Sequence, residues 1–233
     1  MACTKKFTNI FKRKKAVSDA KIIITKGGMT SLDESFNRLK DNILHFGAKG
    51  NKVVQVEASI SGEGKTTLVS NLAVSLAYNG KKVVVIDFDF RNPCISKVFG
   101  VNEECGVGDY VLEDVPADSV IKHSEYGVDV ITRGKVVYNS SYVLDSKKTE
   151  ELIEVLKEKY DFILLDCPPV LLMSDYMHIA KYSDGILYTV SANNVKRTAV
   201  RESLILLSKL DVPFIGSVMT GVNPKEAFYG YNK

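Results

Sequence analysis

At 233 residues, 45% hydrophobic and 25% charged, the chain has the composition of a soluble globular protein of one α/β-sized domain with a substantial core. Net charge is +3, no apolar run approaches the ~20 residues of a membrane span, and Met1-Ala2-Cys3-Thr4-Lys5-Lys6 lacks the apolar core of a secretory signal. Cys3, Cys94, Cys105 and Cys167 show no Cys-x-x-Cys spacing and accompany only three histidines, which argues against a zinc site or a disulfide framework and for a reduced, cytoplasmic protein.

The charge is uneven. Lys5, Lys6, Lys12, Arg13, Lys14 and Lys15 all precede the first acidic residue, Asp19. A basic arm over 1–29 is expected, either a solvated terminus or a peripheral contact with the inner face of the membrane; nucleic acid is not expected as a partner. Lys21–Thr25 is β-branched and suits a short strand or an extended lead-in, broken by Gly27-Gly28. Ser31 and Glu34 have capping-box spacing, and Phe36, Leu39, Ile43 and Phe46 recur with a helical period.

Val53–Val56 reads as the first sheet strand, followed by Ala58-Ser59-Ile60-Ser61-Gly62-Glu63-Gly64-Lys65-Thr66-Thr67 and a helical pattern through Leu68, Leu72 and Leu76. Strand, glycine-rich loop, Lys-Thr and helix start form the context of a phosphate-binding P-loop. Gly62 and Gly64 let the backbone N–H groups of Ser61 through Thr67 converge on one anion at a helix N-terminus. Lys65 supplies a point charge for the terminal phosphates of ATP, and Thr66 a hydroxyl for Mg²⁺. The usual first glycine of the pattern is replaced by Ser59.

Farther along, Val83–Ile86 is a continuous apolar run ending in Asp87-Phe88-Asp89, and Phe162–Leu165 is another ending in Asp166. Between them, 92–127 suits short helices and loops, Val128–Ile131 a short strand, and Glu150–Tyr160 a helix. Gly185–Val190, a helix over Thr198–Leu210 and a strand over Phe214–Met219 complete the alternation. The expected fold is an α/β, doubly wound, mostly parallel sheet with helices on both faces. Ligands of such sheets sit at the carboxyl ends of the strands, where the three carboxylates fall. Asp166 is the better candidate for holding Mg²⁺. Asp87 and Asp89, two apart on an extended chain, would face the same side, one for the metal and one for a nucleophile's proton.

With these motifs in place the chain resembles the bacterial tyrosine kinases of capsule and exopolysaccharide clusters. Gly62–Thr67 with Asn71-Leu72-Ala73 resembles their Walker A motif, Val85–Pro93 ending at Phe99-Gly100 their second acidic motif, and Tyr160–Val170 their Walker B motif. The resemblance covers about residue 30 to the C-terminus and implies a kinase domain over 30–222 with a flexible tail over 223–233. It implies phosphate and Mg²⁺ binding by Lys65 and Thr66, metal-shell roles for Asp89 and Asp166, and help from Asp87 in deprotonating a tyrosine hydroxyl. Tyr229 and Tyr231 of the tail are the implied acceptors, phosphorylated between subunits of a ring. The family's assembly motif on the first helix, Glu-x-x-Arg-x-x-Arg, falls here on Glu34, Asn37 and Lys40, with Arg38 beside them. The planar guanidinium fork of the second Arg is thereby replaced by an ammonium. Ser61 and Thr220 also depart from the family's usual Pro and Asn. A separate membrane protein is the implied activator. Partitioning or division-site ATPases of the same superfamily usually carry a Lys where Ile60 stands, and a nucleotide-binding scaffold that transfers little is the third reading.

Overall fold

The computed structural model describes residues 20–222. Helix α1 (Ser31–Gly47) precedes β1 (Val53–Ala58), which leads through the glycine loop into α2 (Lys65–Tyr78) and on to β2 (Val83–Asp87). Three short helices follow, α3 (Ile95–Phe99), α4 (Val107–Glu113) and α5 (Ala117–Val120), then β3 (Ile121–His123) and β4 (Asp129–Ile131). The described chain continues through α6 (Ser140–Leu144), α7 (Lys147–Lys159), β5 (Phe162–Asp166), α8 (Asp175–Ala180), β6 (Gly185–Ser191), α9 (Arg197–Leu207) and β7 (Phe214–Thr220).

The strands form one sheet in the order β3-β4-β2-β5-β1-β6-β7, and every pair is parallel except β3 with β4. Because successive side chains on a strand point to opposite faces, each continuous apolar run feeds two cores. Val54, Val56, Val83, Val85 and Leu164 pack with α1, α2 and α3 on one face. Val53, Val84, Ile86, Ile163 and Leu165 pack with α4, α6 and α7 on the other. The sheet is therefore doubly wound, as the sequence predicts.

Helix α2 is apolar nearly all round and buried, with Leu68, Val69, Leu72, Ala73, Val74 and Leu76 inside. It ends at Asn79-Gly80, where Gly80 takes φ 77° and releases the chain from the helix. That burial fixes the helix axis, and with it the position of its N-terminus against the glycine loop.

Several sequence expectations shift. The capping box of α1 uses Thr30 and Asp33, not Ser31 and Glu34: Thr30 Oγ1 accepts from Asp33 N at 3.1 Å, and Asp33 Oδ2 accepts from Thr30 N at 2.9 Å. Asp33 also accepts from Thr25 N at 3.1 Å, so one carboxylate serves both the helix start and the chain entering it, which Glu34 one position on does not do. Lys21–Thr25 is extended but joins no strand. Instead Asn71 of α2 accepts from Ile23 N and Ile24 N and donates to Lys21 O. Ile24 is buried in the core, so this part of the stretch assigned to the basic arm lies on the body. Its cluster of lysines and Arg13 lies outside the described residues, as does the tail over 223–233 with Tyr229 and Tyr231. The pattern reading missed β3, α6 and α8, all short.

Candidate active site

The glycine loop owes its shape to two left-handed residues, Gly62 at φ 85° and Gly64 at φ 86°. A Cβ on Gly62 would meet Asn194 Nδ2 at 3.2 Å, and one on Gly64 would meet the Thr220 side chain at 3.4 Å. The outer side of the loop is stitched down. Asn194 Nδ2 donates to Gly62 O at 3.2 Å and Thr220 Oγ1 to Glu63 O at 2.6 Å. Glu63 is buried, and its carboxylate accepts from Ile60 N at 2.8 Å and from Ser191 N at 3.1 Å. Glu63 therefore braces the loop against β6 through its side chain. Ser59 needs no glycine-only conformation, and its hydroxyl pairs with Tyr188 OH at 2.5 Å inside the core. Ser61 is exposed on the loop, and Thr67 faces a cavity beside it.

Lys65 opens α2 and points across to β5, where its Nζ donates to Asp166 Oδ1 at 2.8 Å. Thr66 Oγ1 donates to Asp166 Oδ2 at 2.7 Å, so both oxygens of a buried carboxylate are held by the Lys-Thr pair. Burial works to strip Lys65 of its proton, but the charges of Asp166 and then Asp89 outweigh it and hold the ammonium above its ordinary range.

In the parallel register β2–β5, Asp87 lies directly beside Asp166. Asp87 is buried, and burial first, then the Asp166 charge, pushes its carboxyl well above the usual range. Its Oδ2 accepts from Cys94 N and Ile95 N at 3.0 and 3.1 Å. The extended arrangement expected for Asp87 and Asp89 is corrected. The strand ends at Asp87 and the chain turns, with Asp89 N donating back to Asp87 Oδ1 at 3.1 Å. Phe88 and Phe90 bury their rings 6.0 Å apart in one core, and Asp89 Oδ1 accepts from Asn92 N at 3.0 Å, which carries the turn onward.

The structure thus gathers Lys65, Thr66, Asp87, Asp89 and Asp166 at one end of the sheet. Thr66, Asp89 and Asp166 are hard oxygen donors of the kind Mg²⁺ takes, and the Lys65 ammonium already stands as a cation against Asp166. Among the described residues no three His, Cys, Asp or Glu side chains form a metal cage.

Glu34 and Arg38 form an exposed i,i+4 pair at 3.3 Å on α1, and Lys40 Nζ lies 3.3 Å from Asn37 Oδ1 on the same helix. The sequence reading gave no role to three features. An open cavity of about 660 Å³ lies beside the loop, lined by Gly64, Thr67 and Thr220 and by Ile23, Leu32 and Phe36, room for a nucleoside. Buried Glu57 on β1 accepts from Gln55 Nε2 at 2.7 Å, and burial pushes its carboxyl up to about 8. Asp175 at the start of α8 accepts from Ser140 Oγ at 3.0 Å and faces the charges of Arg91 and Asp89. For Glu57 a signal existed, since a polar residue inside an otherwise apolar, doubly buried strand is unusual.

Glycine loop, lysine and acidic strand ends of a doubly wound sheet define the class, a P-loop nucleotide-binding protein. Residues 51–207 match a family described as AAA domain. Over 200 residues the chain is 31% identical to tyrosine-protein kinase CpsD of Streptococcus agalactiae, covering 85% of this chain and 86% of that protein. The kinase domain of Escherichia coli tyrosine kinase ETK superposes with a TM-score of 0.73 at 27% identity, over 84% of this chain and 79% of that one. The septum site-determining protein MinD of Pyrococcus horikoshii, solved with Mg-ADP, gives 0.63 at 26% identity, over 76% and 75%. The chain belongs to the bacterial tyrosine kinase family, and it is a protein-tyrosine kinase.

Proposed function

We propose that this kinase transfers the terminal phosphate of ATP to Tyr229 and Tyr231 in the tail of a neighbouring copy, and so regulates capsular or exopolysaccharide synthesis and export. The observation that carries this reading is the convergence of Lys65, Thr66 and Asp166 within hydrogen-bond distance, with Asp87 level with Asp166 on the adjacent strand.

In this reading the backbone N–H groups from Ser61 to Thr67 bind the phosphates, in a nest whose outward carbonyls Asn194 and Thr220 already hold. Lys65 exchanges Asp166 for phosphate oxygens and carries charge into the transition state. Thr66, Asp89 and Asp166 would hold Mg²⁺, which when bound neutralises phosphate charge. Asp87, its proton affinity raised, takes the phenolic proton. The cavity between α1 and β7 receives the nucleoside, with Thr220 lining it beside the glycine loop.

Among the described residues no helix is long and apolar enough to cross a membrane. The reading therefore places the kinase in the cytoplasm, with a membrane-bound adaptor supplying an activating tail and the basic arm in peripheral contact with the bilayer. Assembly through Glu34, Arg38 and Lys40 belongs to the same proposal, weakened by Asn37 and Lys40.

Incubation of the full chain with Mg-ATP and phosphate mapping by mass spectrometry tests the reading. Phosphotyrosine at Tyr229 or Tyr231, abolished in Lys65→Met, is expected. The likeness to MinD favours one alternative, ATP hydrolysis without protein modification, and phosphate release from an unmodified chain would establish it. Nucleotide binding with neither product would leave a regulatory scaffold.

A further inference from the structure

Resting on ATP-to-tyrosine transfer by this chain, we propose that Tyr138 is a second phosphate acceptor, presented from a loop on the rim of the active site.

The placement follows from strand register. Ile131 of β4 pairs with Ile86 of β2, so the chain leaves β4 level with Asp87, at the same carboxyl edge of the sheet. The segment that follows is anchored at both ends to the site's own loops. At its start, Arg133 Nη1 donates to Phe90 O at 3.4 Å, one residue past Asp89. At its end, Ser140 Oγ donates to buried Asp175, which faces Arg91 and Asp89. Residues 134–139 span the gap between these anchors. Lys135 N is tied to Asp109 Oδ2 at 2.9 Å, Val137 packs half-buried against the core, and Asn139 caps α6 by accepting from Tyr142 N, which leaves Val136 and Tyr138 as the exposed tip.

Tyr138 stands on that tip with 97% of its surface exposed. Its hydroxyl carries no hydrogen bond that would have to be broken, and its ring packs into no core cluster. The other described tyrosines differ. Tyr160, Tyr176, Tyr182 and Tyr188 are buried, Tyr110 and Tyr126 are half-buried, the latter edge-on to Phe99, and Tyr78, 36% exposed, and Tyr142, 64% exposed, are held on helices α2 and α6. A site whose proton acceptor lies at the bottom of strand ends needs an acceptor that can be pushed in on extended backbone. A loop tyrosine meets that need, whereas one fixed on a helix would have to bring the helix with it.

The step balances without a further reactant. The phenolic oxygen bonds to the γ-phosphorus, the bond from that phosphorus to the β,γ-bridging oxygen breaks, ADP leaves with the electron pair, and the phenolic proton passes to a site carboxylate.

The test uses the full chain carrying Tyr229→Phe and Tyr231→Phe, beside the wild type, with Mg-ATP, an exogenous Glu/Tyr copolymer and quantitative phosphosite mapping. Phosphate is expected at Tyr138 in both chains, at least tenfold above Tyr142, absent with a non-hydrolysable ATP analogue and lost in Tyr138→Phe while tail phosphorylation of a Tyr138→Phe single variant continues. Phosphate on the wild-type tail with none at Tyr138, or equal labelling of Tyr138 and Tyr142, overturns the proposal. No phosphate on the tail, on Tyr138 or on the copolymer takes down the kinase reading with it.

Discussion

Asp87 is buried beneath its own loop, yet burial and the neighbouring Asp166 charge raise its affinity for a proton, the property a general base near neutral pH requires. Substituting Asn removes the basicity and keeps an oxygen that accepts from Cys94 N and Ile95 N. For Asp87→Asn we predict a fall in tyrosine transfer of roughly 10²-fold or more, with nucleotide affinity, measured by titration with a fluorescent analogue, changed less than about threefold. Undiminished transfer would remove Asp87 from the chemistry. Glu57 makes a different prediction. Burial pushes its folded carboxyl from an ordinary 4.5 up to about 8, so between those values the native state keeps a proton that the unfolded chain has released. Stability contributed by Glu57 is fully present below the lower value and declines as pH rises through the window. Raised Asp87 acts in the same direction. Urea unfolding of the metal-free protein is therefore expected to show stability falling from pH 5 to 8. Glu57→Gln should flatten that slope by on the order of 1 kcal/mol per pH unit, and an unchanged slope would show Glu57 ionised throughout. Lys65, Thr66, Asp87 and Asp166 were legible because spacing within a strand–loop–helix unit and at strand ends is fixed by local geometry. Glu57 and Glu63 were not read this way. Glu57 stands out as a polar residue in a buried strand, but what surrounds it, Lys65 and the buried Cys167 beside the nearby Gln55, comes from distant parts of the chain, as does Ser191, the partner through which Glu63 reaches β6.

Long periodic elements were readable for a simple reason: each strand that feeds both cores is an unbroken apolar run, and each flanking helix shows its stripe. The short ones were not. Strand β3 is three residues at the sheet edge, antiparallel to β4 across a turn in which Gly127 takes φ 72°, and its pairing is decided by β4 rather than by its own residues. The lead-in to α1 illustrates the same limit. Its β-branched residues suggest a strand, but an amide on α2 supplies the partners that a neighbouring strand would have offered. Asn71 serves Ile23, Ile24 and Lys21 at once, so Asn71→Ala leaves backbone groups beside buried Ile24 without partners. A loss of about 1–3 kcal/mol in urea unfolding is expected, together with faster proteolysis at 20–29. Since Ile23 also lines the nucleoside cavity, the variant should bind ATP more weakly. Wild-type stability and affinity would show that α1 and its cap hold the lead-in unaided.

At the scale of the whole molecule, one imbalance stands out. Glu57, Asp87, Asp89 and Asp166 crowd the carboxyl edge of the central strands, and among the described residues Lys65 is the one cation buried with them. A low-dielectric cluster of like charges relaxes by protonation or by taking up positive charge, and the raised carboxyls of Glu57 and Asp87 are the first response. The second is a divalent cation brought in with its nucleotide. Because the sheet, both helical layers and the glycine loop meet at this edge, neutralising it should stabilise the domain as a unit instead of ordering one loop. By linkage, Mg-ADP at 100 times its dissociation constant adds about 2.7 kcal/mol, roughly 5 to 10 °C in midpoint for a chain of this size. A thermal scan should show a single transition moving by that amount with Mg-ADP and by less with Mg²⁺ alone, since the ion then lacks the phosphates that complete its shell. In Lys65→Met the gain from Mg-ADP should shrink, because the ammonium that would leave Asp166 for the phosphates is gone. An equal midpoint shift in wild type and variant would mean that the nucleotide binds elsewhere on the molecule, and that the acidic edge serves the fold alone.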